Sequence, residues 1–158
     1  MKRALLIAVL LSMSLCSYAT EPNELLSSEF VSTFKKAQQG DAEAQCNLGV
    51  MYDKGHGVAQ DWKEAVKWYQ KAAEQGSAES QYALGVMYEK GFGGIEDYVE
   101  AYKWCLLAEG VRTDITEIKS SLEGKMIPEQ IAEAQKLAQA LAVKIEERKL
   151  IFERIFSE

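Results

Sequence analysis

Proline is almost missing from this chain. Pro22 and Pro128 are the only two in 158 residues. So little of the residue that breaks helices, beside much Ala, Glu, Lys, Leu and Gln, favours helix throughout. Histidine is scarcer still, with His56 alone, and no Cys/His spacing suggests a zinc site. Basic residues are in deficit, 18 against 24 acidic, for a formal charge of −6. That deficit disfavours nucleic acid, which is gripped by Lys and Arg neutralising phosphates, and equally disfavours anionic membrane surfaces. Long hydrophobic runs are lacking too. The longest, Ala4 to Leu15, falls short of the roughly 20 residues a membrane span needs. Yet 47% of the residues are hydrophobic and 27% charged, an ordinary globular balance that a disordered chain does not have.

The apolar run has a different reading. Met1-Lys2-Arg3 is a short basic start, and Ser17-Tyr18-Ala19 places small residues at the −3 and −1 positions of a cleavage site. This is the three-part pattern of a secretory signal peptide over residues 1–19. An uncleaved anchor is the alternative. Cys16 raises a lipoprotein signal as a third, but Leu15 stands where such a signal needs a small residue. Cleavage after Ala19 is the expectation, giving a periplasmic or secreted protein without stable membrane insertion and a charge of about −8. Cys46 and Cys105 then remain in an oxidising compartment, where pairing is chemically open. One pair is not a disulfide framework.

The strongest signal is internal repetition. Residues 40–72 and 76–108 align without a gap at an offset of 36. Leu48-Gly49-Val50-Met51-Tyr52 matches Leu84-Gly85-Val86-Met87-Tyr88. Gly55 and Gly57 match Gly91 and Gly93. Asp61, Glu64, Ala65 and Trp68 match Asp97, Glu100, Ala101 and Trp104. Each copy reads as helix A, a glycine loop, then helix B. Helix A spans about 42–54 in the first copy, capped by Asp41, with Ser77 in the equivalent place. Gly55 suits a left-handed helix end. Asp61 with Glu64, and Asp97 with Glu100, have capping-box spacing. Gly49 and Gly85 sit mid-helix, where glycine costs about 1 kcal/mol against alanine. Their recurrence predicts that helix B approaches closely there, with Ala65 and Ala101 as the opposing faces.

With LG-x-x-Y, G-x-G, D, A-x-x-W and the closing KAAEQG in place, residues 37–108 resemble the Sel-1-like repeat family, short relatives of tetratricopeptide repeats. The resemblance is looser for residues 126–135, which look like the closing helix of such arrays. It implies an all-α fold, an α/α solenoid, whose usual role is protein–protein interaction, often in exported bacterial proteins. The second copy departs from the first at Gly94 (Val58) and Cys105 (Tyr69). A cysteine-rich subset of the family carries one disulfide per repeat. Here each copy has one cysteine at non-equivalent positions, so that subset's penicillin binding and β-lactamase activity are not carried over. The expected organisation is a capping helix over 20–39, repeat one over 40–75, repeat two over 76–111, and a degenerate repeat with a C-terminal capping helix over 112–158. In that last part, Asp114 and Glu117 have capping-box spacing, Gly124 stops a short helix, and Pro128 sits in the first turn of the next.

No residue cluster points to catalysis or to a cofactor. His56 corresponds to Phe92, and a position that takes both reads as a loop filler. Ser32-x-x-Lys35 matches the S-x-x-K of serine acylases but lacks the accompanying elements, so chance explains it. Gly55-x-Gly57 is not followed by G-K-[ST] and is no phosphate loop. What remains is surface. On helix A, Gln45, Leu48, Gly49 and Tyr52 are expected to face helix B. The opposite face carries Glu43, Cys46, Val50, Asp53 and Lys54, then Glu79, Tyr82, Val86, Glu89 and Lys90. In tetratricopeptide-like stacking that face lines a concave groove, suited to a partner protein or peptide with apolar and basic residues. An adaptor is the leading reading. An inhibitor or immunity-type protein, or a modulator of an envelope sensor, belongs to the same class. A cell-wall hydrolase or β-lactamase-like enzyme, needing a reactive Ser32, is the rival from another class. The tail, Leu150-Ile151-Phe152 with Ile155-Phe156, either folds back to cap the solenoid or forms a dimer or partner contact.

Overall fold

The computed structural model describes residues 27–94, 96–109 and 115–157. The signal-peptide pattern of residues 1–19, and Asp114 with its cap, lie outside them. Seven helices are present among the described residues: α1 (Ser28–Gln38), α2 (Ala42–Lys54), α3 (Trp62–Ala73), α4 (Ala78–Lys90), α5 (Tyr98–Ala108), α6 (Ile115–Glu123) and α7 (Pro128–Phe156). The two repeats are the antiparallel pairs α2–α3 and α4–α5; α1 to α5 each pack on the next in chain order, α6 packs on α5 and α4, and α7 packs back on α5. This is the expected α/α solenoid.

Local chemistry sets the ends. Asp41 accepts from the N–H of Ala44 at 2.7 Å, and Ser77 accepts from that of Ser80 at 3.4 Å. Gly55 and Gly91 close helices α2 and α4 at φ +72° and +68°, in the left-handed region that L side chains avoid. The capping boxes form only by half. Asp61 and Asp97 accept from the backbone of their first turns. Their own N–H groups instead donate to Tyr52 and Tyr88 carbonyls, at 2.9 and 3.1 Å, which ties each glycine loop shut. Glu64 and Glu100 are thereby released to pair with Lys67 and Lys103 three residues on.

Helix α1 is more than a cap. It occupies the place of helix B of a preceding half-repeat, in the same 36-residue register. The buried Gln45 amide donates to the Ala37 carbonyl, and the buried Gln81 amide to that of Ala73, both at 3.1 Å. Gln45 therefore faces α1 rather than α3, against expectation, and Tyr52 packs between Phe30 of α1 and Trp68 of α3. Tyr52 meets the Phe30 ring edge-on, with centroids 5.5 Å apart. A helix A in this solenoid is sandwiched between the previous helix B and its own, so its buried surface is shared between them.

The mid-helix glycines do mark close approach, but the opposing groups differ from those expected. A Cβ on Gly49 meets the Tyr69 ring at 2.6 Å, and one on Gly85 meets the Cys105 sulfur at 2.7 Å. The Ala101 carbonyl also borders the second contact, at 3.5 Å. Ala65 and Ala101 are both fully buried.

Helix α7 is about 43 Å long. Gln130 accepts from the N–H of Ile127 at 3.1 Å, which satisfies one donor at its start. Its first half packs on α5, burying Ala134 and Ala138. Ile145 then lies over Gly76, and Arg148 donates to the Glu74 carbonyl at 3.1 Å. Beyond that point the helix leaves the body. The tail does not fold back to cap the solenoid: Leu150, Ile151, Phe152, Ile155 and Phe156 are 60–71% exposed. No helix among the described residues is long and apolar enough to cross a membrane.

Candidate interaction groove

The helix-A face divides into an open upper end and a covered lower end. At the upper end, between the N-terminal halves of α2 and α4, lies a cleft of about 410 Å³. Glu43, Cys46 and Glu79 line it, together with Asn47, Gln75 and Ser77. Glu43 and Glu79 are equivalent residues of successive repeats, both exposed. Neither carboxylate takes an ion pair among the described residues. Gln75 donates to the side-chain oxygen of Gln45 at 2.7 Å, which fixes one wall.

Cys46 forms the floor and is buried. Burial pushes its thiol above the ordinary value. Hydrogen bonding with Ser80 opposes this, and the Glu79 carboxylate adds to it. Cys105 is buried beside Gly85 and pushed up to about 12, chiefly by burial. The two cysteines are free thiols on different layers of the solenoid.

At the lower end the face is occupied by the chain itself. Glu89 accepts from Ser121 at 2.8 Å and pairs with Lys125 at 3.1 Å, both from the α6–α7 corner. Asp53 pairs with its neighbour Lys54 at 3.0 Å. Lys54 and Lys90 are exposed, Val50 and Tyr82 are half-buried against the core, and Val86 is half-buried. The structure thus gathers Glu43, Cys46 and Glu79 into one cleft and sets Asp53, Lys54, Glu89 and Lys90 apart from it.

Asn47, Gln75 and Ser77 were missed. Asn47 was within reach of sequence reasoning, because it stands four residues after Glu43 and so on the same helical face. Gln75 and Ser77 flank the turn at Gly76, and only stacking brings them beside α2.

A second cleft, of about 390 Å³, lies between α3 and the glycine loop of repeat two. Lys63, Val66, Lys67 and Phe92 line it. Phe92 stacks on Trp62 of the preceding repeat at 4.8 Å between centroids. The position read as a loop filler is thus an inter-repeat contact in the second copy. In the first copy, His56 is exposed. Ser32, on the exposed side of α1, donates its hydroxyl to the Glu29 carbonyl of its own helix at 2.9 Å.

Comparison with known proteins agrees with this architecture. The Sel1 repeat family matches residues 42–77 and 78–108. A solved structure described as a protective antigen present in uropathogenic Escherichia coli strains, displaying an SLR fold, is 32% identical at a TM-score of 0.70. That match covers 80% of this chain and 28% of the other. A Sel1 repeat protein from Oxalobacter formigenes is 32% identical at a TM-score of 0.52, covering 70% of this chain and 54% of the other. This chain therefore spans little more than half of the second and under a third of the first. Among curated proteins nothing matches. Two matched repeats, the 36-residue register and the shared helix-pair stacking make this chain a Sel1-repeat protein with an α/α solenoid fold.

Proposed function

We propose that this protein is an exported interaction scaffold that holds an extended, basic segment of a partner protein in the cleft between its repeats. Sel1 repeat proteins generally mediate protein–protein interaction, and the fold is typically a non-enzymatic scaffold. The observation that carries the reading is the pair Glu43 and Glu79. The solenoid repeats one carboxylate at a fixed interval along an open, polar cleft, and no cation among the described residues pairs with either. A partner chain lying across the repeats supplies that cation to each, with the Asn47 and Gln75 amides beside them to meet its backbone. Export rests on the basic start, the apolar run and Ser17-Tyr18-Ala19. An inhibitor of a toxin and a modulator of an envelope sensor are two forms of this same role.

The test is affinity capture from envelope extract, comparing the protein with a Glu43→Lys/Glu79→Lys variant and with Tyr82→Ala. A partner held by the protein and lost by the charge-reversed variant, with binding that weakens as salt rises, supports the cleft. A partner held equally by both sinks it and moves attention to the Lys63–Lys67 side. Capture of nothing specific removes the scaffold reading.

A further inference from the structure

The solenoid steps three times from one helix B to the glycine loop or corner that follows it, and among the described residues only the middle step is left open. At the first step, between α1 and the loop of repeat one, apolar side chains fill the space. Phe30 is buried there with its ring 5.5 Å from that of Tyr52, and Phe34 and Val58 pack beside it. At the second step, between α3 and the loop of repeat two, the equivalents of Phe30, Phe34 and Val58 are Val66, Gln70 and Gly94. Each is smaller or more polar, and the cleft of about 390 Å³ opens in their place. At the third step the α6–α7 corner covers the position. Lys125 lies over the Tyr98 ring at 5.3 Å, and Tyr102 donates to Glu123 at 2.5 Å.

The rim of the open step differs as well. Ser27 and Val31 beside α1 correspond to Lys63 and Lys67 of α3, and Lys71 continues their line. Four-residue spacing sets the three lysines on one side of the helix, about 6 Å apart along its axis. All three are exposed. Lys63 takes no ion pair among the described residues. Lys67 pairs with Glu64 of its own helix, an exposed contact that water weakens. Lys71 lies over the Trp68 ring at 3.9 Å. In a chain with 24 acidic residues against 18 basic, this is a cationic stripe beside an apolar hollow.

We infer that this cleft is a second docking site, and that its occupant is an extended acidic segment of a partner protein carrying one large aliphatic side chain. The hollow selects the side chain. Val66 and Phe92 line its apolar part, and Gln70, which donates to the Tyr88 hydroxyl at 2.7 Å, supplies its polar part. Gly93 and Gly94, at φ +83° and +86°, leave the loop side without side chains. The stripe selects the charge and the conformation. Alternate residues of an extended chain point to one side and lie about 6.6 Å apart, close to the spacing of the lysines. Acidic residues at every second position therefore meet successive lysines, while the residue between them turns to the hollow. A bare polyanion leaves the hollow empty, and the acidic body repels it.

The site shares no lining residue with the Glu43–Glu79 cleft, so the two readings fail separately. The probe is the dye-labelled peptide Glu-Ser-Glu-Leu-Glu-Ser-Glu, titrated with the protein and read by fluorescence anisotropy. Saturable binding is expected, and it should weaken as salt rises. Exchanging the peptide's leucine for alanine is expected to weaken binding about ten-fold, and Lys63→Glu/Lys67→Glu in the protein by about as much. The two lysines are exposed, so circular dichroism of that variant should show unchanged helix content. Val66→Phe returns the side chain that the first step carries and is expected to bring the leucine and alanine peptides to equal affinity. Absence of saturable binding overturns the inference. So does binding that the lysine variant keeps, or an alanine peptide that binds the unaltered protein as well as the leucine one. A thymidine oligonucleotide of the same charge that binds as tightly also overturns it, because the stripe is then a general polyanion surface.

Discussion

Repeat one and repeat two have the same helix pair and differ where the two helices touch. In both, a glycine in the middle of helix A lets helix B approach closely. In repeat one the group filling the space is the flat ring of Tyr69, and in repeat two it is the single sulfur of Cys105. One backbone geometry tolerates two very different partners because glycine, not the partner, sets the distance. A degenerate repeat family can therefore vary helix B widely while holding the glycine. The two pairs also differ in what flanks them. Repeat two has neighbours on both sides, α3 before it and α6 and α7 after it, whereas among the described residues repeat one has only the half-repeat α1 on its outer side.

That asymmetry can be broken most forcefully at the equivalent tryptophans. Trp104 is 2% exposed and donates its indole N–H to Glu100 at 3.1 Å. Trp104→Ala is expected to cost about 3–5 kcal/mol in urea unfolding. Trp68, packed on Phe34 of α1 at 5.8 Å, is expected to cost less, because the end of the array relaxes more easily. Equal losses would show that the two repeats unfold as one block with no weak edge.

The glycine contact itself comes next. Gly49→Ala forces a methyl into a ring that has no free side to turn to, a loss of about 1–3 kcal/mol. Gly85→Ala meets one rotatable sulfur, and alanine regains about 1 kcal/mol of helix propensity, so its net cost is expected to be smaller. Removing that sulfur sharpens the comparison. Cys105→Ala added to Gly85→Ala should recover most of the loss, and thermal melts of the single and double variants decide it. No recovery would place the clash on the Ala101 carbonyl instead.

The caps give a smaller and more uniform effect. Asp61→Ala and Asp97→Ala each remove an acceptor for two backbone N–H groups, and about 1 kcal/mol is expected from either. A marked difference between them would mean that the loop closures onto Tyr52 and Tyr88 are not equivalent.

The smallest effect is invisible at neutral pH. Burial raises the Cys46 and Cys105 thiols and the Tyr69 and Tyr102 hydroxyls in the folded protein. Groups that bind their protons more tightly when folded add stability that is complete below their unfolded values. It is lost as pH rises through the window up to the folded ones. For Cys105 the window runs from 9.0 to about 12. The urea midpoint should therefore be flat near neutrality and fall above pH 9, and Cys105→Ala should shallow the first part of that fall.

The repeat was readable because its evidence is local and doubled. Glycines, cap residues and the Trp positions recur at one offset, and each has a role within a few residues of itself. The register extended further upstream than the motif suggested. Lys35, Ala37, Gln39 and Gly40 match Lys71, Ala73, Gln75 and Gly76, which is why α1 stands in as a helix B. The facing of Gln45 differs from expectation for a related reason. A single two-helix unit offers only its own helix B as a neighbour, whereas the solenoid supplies a second from the unit before. The groove was legible only in its upper half. Glu43 and Glu79 stand where the repeat pattern placed them, but nothing in the repeat signals that Ser121 and Lys125 return to cover Glu89.

From its sequence alone this protein was bound to be an all-helical array. The scarcity of proline, the glycines at helix ends and the 36-residue period fix short helices of alternating kind, and those interactions span only a few residues each. Tertiary structure decided which part of the surface stays open. The α6–α7 corner returns 32 and 36 residues along the chain to close the groove beneath Glu89. Helix α7 outruns the body it packs on and leaves its apolar end uncovered. Both outcomes depend on where distant helices arrive in space, and the residues that meet there carry no mark of it in their local pattern.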